Sequence, residues 1–355
     1  MTQQLMERDA HALPREAPGR PGLAVFAATF SREMTVQDWM ICVYFSLMLF
    51  AVAIGDGAGR ELALPIVGVD IGVLLIGLGL TRGAILTPGS LGHQLVYRMT
   101  VFGTVVSSYF QLRLVLAAVS SRVLDGAIYA FDLRVFHFEP SLALDRFVTP
   151  GAVEWFAFFY FGYFFILAAH VLPFLLAVKD VDLLARFAIG IFGVFCAGHL
   201  LYMLVPGYGP YRYLAGDFHH ELVGGTFLRL VHGAVDGVGA QKDIFPSIHT
   251  AVPTYFALFS YKHRRRLVFR YSWPVVAFIT TQIIGATLFL RWHYLIDLFA
   301  GVALASAWVV AGDRIITWET QRREKLGLQP AWVQFKMDEA VGHPGLKSGA
   351  ASSRY

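Results

Sequence analysis

Apolar residues in this chain run in long blocks separated by short polar links. A helix needs about 20 predominantly apolar residues to cross the hydrocarbon core of a bilayer. Trp39–Ile54, Leu62–Leu80, Met99–Val119, Trp155–Val178, Phe187–Val205, Pro246–Tyr261, Tyr271–Leu290 and Trp292–Gly312 each read as such a block. The pattern predicts an all-α fold, a polytopic membrane helix bundle of about eight spans. Two longer links break the rhythm. Residues 122–149 mix apolar side chains with Asp125, Asp132, Arg134, Glu139, Asp145 and Arg146, too polar to span, and predict an amphipathic segment lying at the interface. Residues 206–245 are polar and Gly-rich, a loop long enough to cover a site.

The ends complete the organisation. Residues 1–38 read as a polar tail with no apolar signal-peptide core, and 39–98 as two accessory spans. Residues 313–355 read as a second polar tail, partly disordered past about Gly342. Composition agrees with this division. Of 355 residues, 56% are hydrophobic and only 15% charged, against about 25% charged in soluble domains. Cys42 and Cys196 both fall inside apolar blocks, which argues against a disulfide framework or a zinc ribbon. The formal net charge of +4 reads as the basic bias of cytoplasmic loops, not as a nucleic-acid footprint.

That bias orients the chain. Lys262, Arg264, Arg265, Arg266 and Arg270 crowd the link after the sixth block. Both tails are therefore expected in the cytoplasm, as in an inner-membrane protein, with residues 122–149 and 206–245 on the outer side. His249 opens the sixth block and His293 the eighth, so topology alone puts both at the outer face. Ionisable groups at membrane depth are costly and mark function. Asp297 lies four residues after His293, a spacing that stacks them on one helical face. A carboxylate there can fix the histidine tautomer and leave the other ring nitrogen as a nucleophile. His249 can then serve as acid and base. A phosphoryl group in transit needs neutralising donors, for which Arg212, Lys242, Arg291 and the helix start at Ser247 are the candidates. His170 and His199 read as packing residues, and Asp70 and Arg113 as a possible pair inside the bundle.

Phe245-Pro246-Ser247-Ile248-His249-Thr250 resembles the second signature of the type 2 phosphatidic acid phosphatase superfamily. Arg291-Trp292-His293-Tyr294-Leu295-Ile296-Asp297-Leu298-Phe299-Ala300-Gly301 resembles its third. The apolar Ile248 between Ser and His is similar to the branch of fungal inositol phosphorylceramide synthase and its bacterial relatives, as is Pro206-Gly207-Tyr208-Gly209-Pro210-Tyr211. The resemblance implies a six-helix catalytic core, here residues 99–312, and metal-independent attack by His293 to give a phosphohistidine. It further implies orientation of His293 by Asp297, proton transfer by His249, and a phospholipid or isoprenyl-phosphate substrate, with water or a lipid hydroxyl such as that of ceramide as acceptor. The chain departs from the family where Ala286-Thr287 stand in place of the Ser-Arg that opens the third signature, and where the Lys and Arg-Pro of the first are not evident.

No cofactor and no metal is called for. The competing readings are a transporter or scaffold with these residues along an ion path, and a zinc enzyme using His249, His293 and Asp297 as ligands.

Overall fold

The computed structural model describes residues 23–333, and every element in them is helical. The N-terminal part holds α1 (Leu23–Glu33), α2 (Val36–Ile54), α3 (Arg60–Arg82) and α4 (Leu91–Val119). Three short elements follow: α5 (Asp125–Phe136), α6 (Pro140–Leu144) and a 3-10 turn at Asp145–Phe147. Then come α7 (Pro150–Leu176), α8 (Val181–Leu204), α9 (Pro210–Tyr213), α10 (Thr226–Val238), α11 (Ile248–Lys262), α12 (Leu267–Phe289) and α13 (Leu295–Lys325).

Seven of these helices are long and apolar enough to cross a membrane: α2, α3, α4, α7, α8, α12 and α13. Large apolar side chains such as Val69, Ile76, Phe165 and Leu204 are turned outward, which suits lipid and not water. The block expected as the sixth span is the exception. Its helix, α11, has only 15 residues and ten of them are buried. It needs neither the length nor the greasy exterior of a lipid-facing span, because α7, α8, α12 and α13 all pack against it. Helix α4 packs on α3 and also on α2 and α8.

Local chemistry explains the helix starts. Thr149 caps α7 by accepting from the Ala152 amide at 3.2 Å, followed by Pro150 in the first turn. Asp180 caps α8 through the Leu183 amide at 3.0 Å. Among α2 to α4, Asp38 and Arg82 form a fully buried pair at 2.7 Å, and Tyr97 donates to the other Asp38 oxygen at 2.7 Å. Lys262 and Arg186 both reach Asp313 at the end of the bundle opposite the histidines.

Several expectations change. The N-terminal tail contains α1, and the last helix continues past residue 312 to Lys325. Disorder beyond Gly342 was expected of residues that lie outside the described ones. Asp70 and Arg113 do not pair: Asp70 accepts from Ser107 at 3.2 Å, while Arg113 reaches the covering loop instead. That loop also carries a 13-residue helix, α10, hidden in the sequence by its glycines.

Candidate active site

Ser247 is the N-cap of α11, its hydroxyl accepting from the Thr250 amide at 3.2 Å, and His249 follows in the first turn. The His249 ring lies 4.5 Å from the ring of Tyr160 and 4.5 Å from that of Tyr163, both on α7. His293 comes from the tight turn between α12 and α13, and its ring centre is 6.4 Å from that of His249. The topological inference that puts both histidines together is thus matched in space.

The relation of His293 to Asp297 differs from two residues on one helical face. His293 precedes α13, which begins at Leu295. Asp297 Oδ2 accepts from the Tyr294 amide at 2.8 Å, capping its own helix, and lies 3.4 Å from His293 Nδ1. An acidic residue at the third helical position folds back onto the preceding turn because those amides lack intrahelical partners. The same fold brings it under the histidine. Nδ1 is the ring nitrogen at this distance, with no hydrogen bond joining it to the carboxylate, and Nε2 is the other ring nitrogen. Burial pushes the pKa of His293 down to about 4, against the pull of Asp243 and the Ile244 backbone.

Gly301 explains the end of the third signature. A Cβ there would stand 2.6 Å from the Ser247 carbonyl, so only glycine lets α13 cross the start of α11 this closely. The Ser247 amide in turn donates to the Asp297 carbonyl at 3.0 Å. Gly209 is needed for a similar reason: its φ is +101° and a Cβ would meet the Trp292 carbonyl at 2.3 Å.

Around the histidines lies a narrow cavity of about 60 Å³, walled by Tyr109, Tyr160, Tyr208, Tyr211 and Trp292. One carboxylate, Asp243, shares it. Burial raises the pKa of Asp243, while His293 and Arg113 oppose the rise. Asp243 was not among the candidates read from sequence. Its position four residues before Ser247 was the available signal.

The four expected phosphate donors do not line the cavity. Arg291 pairs with Asp145 at 2.8 Å, donates to the His220 carbonyl at 2.5 Å and covers the Phe218 ring at 3.8 Å. Arg212 stacks on Tyr208 at 3.8 Å. Lys242 donates to the Ser120 carbonyl at 2.7 Å and lies 6.0 Å from the same Tyr208 ring. Both cations thus lie against the ring of a side chain that walls the cavity. Ser247 spends its hydroxyl and its amide within the fold.

Carboxylates of residues 122–149 hold the loops in place, a role the sequence did not reveal. Asp125 accepts from the amides of Tyr208 and Gly209, the latter at 2.7 Å. Asp132 accepts from Leu295 and Ile296, at 2.7 and 3.2 Å, and so fills the N-terminus of α13. Asp145 takes the His219 amide and His220 Nδ1, each at 3.0 Å, besides Arg291. Burial pushes the pKa of Asp145 up, but these partners together hold it below the usual carboxylate range.

Helix α10 closes the cavity from above, with Val231 and Val235 among its walls. Glu154 of α7 takes the amides of Gly225, Phe227 and Leu228 at its start. Arg113 of α4 donates to the carbonyls of Val235, Asp236 and Gly239 at its end. Among the described residues no three His, Cys, Asp or Glu side chains are grouped as metal ligands would be.

A lipid-embedded helical bundle with paired histidines at one end, one of them backed by a carboxylate, is the class this geometry defines. Residues 127–311, just over half of the chain, match the family model described as the PAP2 superfamily, and the chain belongs to that superfamily. No curated protein and no solved structure gives a match.

Proposed function

We propose that this protein is a membrane lipid phosphatase or phosphotransferase that works through a phosphohistidine on His293. The observation that carries the reading is the pair of histidines on one cavity, with Asp297 behind the nucleophile. His293 Nε2 attacks phosphorus and the bond to the leaving lipid oxygen breaks. Burial and the neighbouring His293 push the pKa of His249 down to about 3, so His249 takes up its proton as the anionic phosphoester binds beside it and then gives that proton to the leaving oxygen, leaving a phosphorus–nitrogen bond on His293. A water or lipid hydroxyl then attacks phosphorus and passes its proton to His249. The phosphorus–nitrogen bond breaks, and both histidines regain their starting states. Arg212 and Lys242, which contact the Tyr208 ring, and Arg113, whose charge acts on Asp243, are the cations available to support the phosphoryl charge.

The basic cluster after α11 supports an outer-face site, on the periplasmic side of an inner membrane. The apolar Ile248 and the Gly/Pro/aromatic run at 206–211 favour the inositol phosphorylceramide synthase-like branch, with a ceramide-type hydroxyl as the acceptor to try first. The test is to trap labelled phosphoenzyme from a panel of labelled phospholipids and isoprenyl phosphates. Label is expected on the wild type and absent from His293→Ala. Equal lipid turnover in both proteins would sink the enzyme reading and favour a transporter or scaffold.

A further inference from the structure

A second, larger space lies mostly away from the paired histidines. A groove of about 910 Å³ opens between α7 and α12, within the range of about 300–1,000 Å³ that holds small ligands. On α7 its walls run from Phe158 to Phe174. On α12 they run from Leu267 to Ile279, the half of that helix away from the His293 turn. The α7 stretch rises roughly 24 Å at ~1.5 Å per residue, longer than one leaflet of a hydrocarbon core ~30 Å thick.

The lining changes character along this length. It is almost wholly apolar, led by phenylalanines of α7, and its polar members are His170, Arg266 and Ser272. All three sit at the end of the bundle opposite His249 and His293, because α11 runs away from His249 to Lys262 and Arg266 then begins the return through α12. His170 lies six residues before Leu176, the last of α7, and Ser272 six residues after Arg266. Both are roughly 9 Å from their helix ends. The headgroup layer of a leaflet is about 5–8 Å thick, so this depth is where a phospholipid passes from glycerol esters to methylenes.

Two of the three groups have bonding capacity left. Thr81, Thr104, Thr280 and Ser306 each donate to a carbonyl one turn back, as hydroxyls in apolar helices commonly do. Ser272, partly buried in the groove wall, has no hydrogen-bond partner among the described residues. Arg266 pairs through Nη1 with Asp180 at 2.8 Å, but the two side chains are 50% and 38% exposed, and a guanidinium carries five N–H donors. His170 is committed: its Nδ1–H donates to the Ile166 carbonyl at 2.8 Å and its ring stacks on Phe256 at 4.3 Å. Around Arg266, the exposed Arg264, Arg265 and Arg270 add positive charge, and residues 262–270 contain no acid.

We propose that the groove between α7 and α12 binds an anionic phospholipid of the leaflet opposite the histidine site. Its phosphate meets Arg266 at the mouth, its ester region meets the Ser272 hydroxyl, and its tails lie along the phenylalanines of α7. This goes beyond the histidine chemistry and does not depend on it. A lipid held at His293 has its headgroup at the other end of the groove, out of reach of Arg266 and Ser272. A lipid lodged here braces α7, which packs Tyr160 and Tyr163 on His249, against α12, which leads into the His293 turn.

The test is native mass spectrometry of purified full-length protein in detergent, titrated with phosphatidylglycerol or with phosphatidylcholine of the same acyl chains. The wild type is expected to bind phosphatidylglycerol about fivefold or more tightly, the worth of one basic residue near an anionic headgroup. Arg266→Gln should lose most of that preference while still binding phosphatidylcholine, whereas a damaged fold would lose both lipids. Arg266→Lys, which keeps the charge, should keep the preference. So should Arg265→Gln, which removes the same charge outside the groove. Ser272→Ala should weaken both lipids by about threefold, the loss of one hydrogen bond. His293→Ala should bind both like the wild type. Equal binding of the two lipids by the wild type overturns the proposal, as does a preference that survives Arg266→Gln. An equal loss in Arg265→Gln would mean surface charge alone, and unchanged binding in Ser272→Ala would mean no lipid at groove depth; either result overturns it. Loss of the lipid in His293→Ala would make it a ligand of the histidine site and overturn it too.

Discussion

Arg291 sits two residues before the proposed nucleophile, and its role can be separated from phosphate binding by experiment. In the structure its side chain is 10% exposed and that of its partner Asp145 6%. Removing one member of a buried pair strands the other and costs about 3–5 kcal/mol. Arg291 also holds a backbone φ of +66°, a left-handed conformation disfavoured for a non-glycine residue. Arg291→Gln keeps that strain while discarding the guanidinium that offsets it. At roughly 2 °C per kcal/mol for a chain of this size, the melting temperature of the purified protein should fall by about 6–10 °C. Asp145→Asn alone should also destabilise, because Arg291 is then the stranded charge. The double variant should recover at least half of the summed loss, since no buried charge is left alone. Thermal unfolding in detergent, read by intrinsic fluorescence, measures all four proteins. Additive losses would refute the pairing argument. An unchanged melting temperature with lost turnover, not restored in the double variant, would return Arg291 to the role of phosphate clamp.

Three other predictions concern the same end of the bundle. Gly301→Ala drives a Cβ to 2.6 Å from the Ser247 carbonyl; overpacking of this kind costs about 1–3 kcal/mol, and turnover should fall more than stability, because the strain lies between the two histidine-bearing elements. Asp132→Ala strips the acceptor from the Leu295 and Ile296 amides, which should lower the melting temperature by roughly 2–6 °C at ~1–3 kcal/mol for buried groups left unpaired; no shift would mean that water replaces the carboxylate. His293 must be unprotonated to attack, and its pKa is pushed down to about 4. Because the folded pKa lies below the unfolded one, the stability that His293 contributes is complete above about pH 6.5. It is lost as pH falls from there toward 4, which pH-dependent melting of wild type against His293→Ala would show.

Hydrophobic blocks made the fold legible because lipid imposes one rule on every span. The rule fails where protein replaces lipid, and α11 is the case: sheltered by four helices, it can be short. The histidine pair was legible because span parity decides which end of the bundle each helix start occupies. Asp297 was found by spacing, but its placement comes from capping geometry at the start of α13 and not from a shared helical face. The cations were misleading for a different reason. Arg291, Arg212 and Lys242 lie close to the signatures in sequence, yet partner choice is decided by carboxylates, carbonyls and rings far away in the chain. Asp145 and Tyr208 are the deciding partners, and no local pattern points to either. The packing of Asp125 and Asp132 was equally hidden, since acidic residues in an amphipathic segment ordinarily face water.

Those three aspartates also set an order of events. Chains are made from the N-terminus, so Asp125, Asp132 and Asp145 emerge before every group they hold. Their partners arrive in sequence: Tyr208 and Gly209, then His219 and His220, and last Arg291, Leu295 and Ile296. Until α13 is inserted, Asp132 lacks both of its partners, Asp145 lacks Arg291, and His293 has no turn to hold it beside His249. A nascent chain therefore carries no working centre while it is still threading into a bilayer made of its own candidate substrates. Completion of the last helix is what brings the two histidines of the proposed centre together.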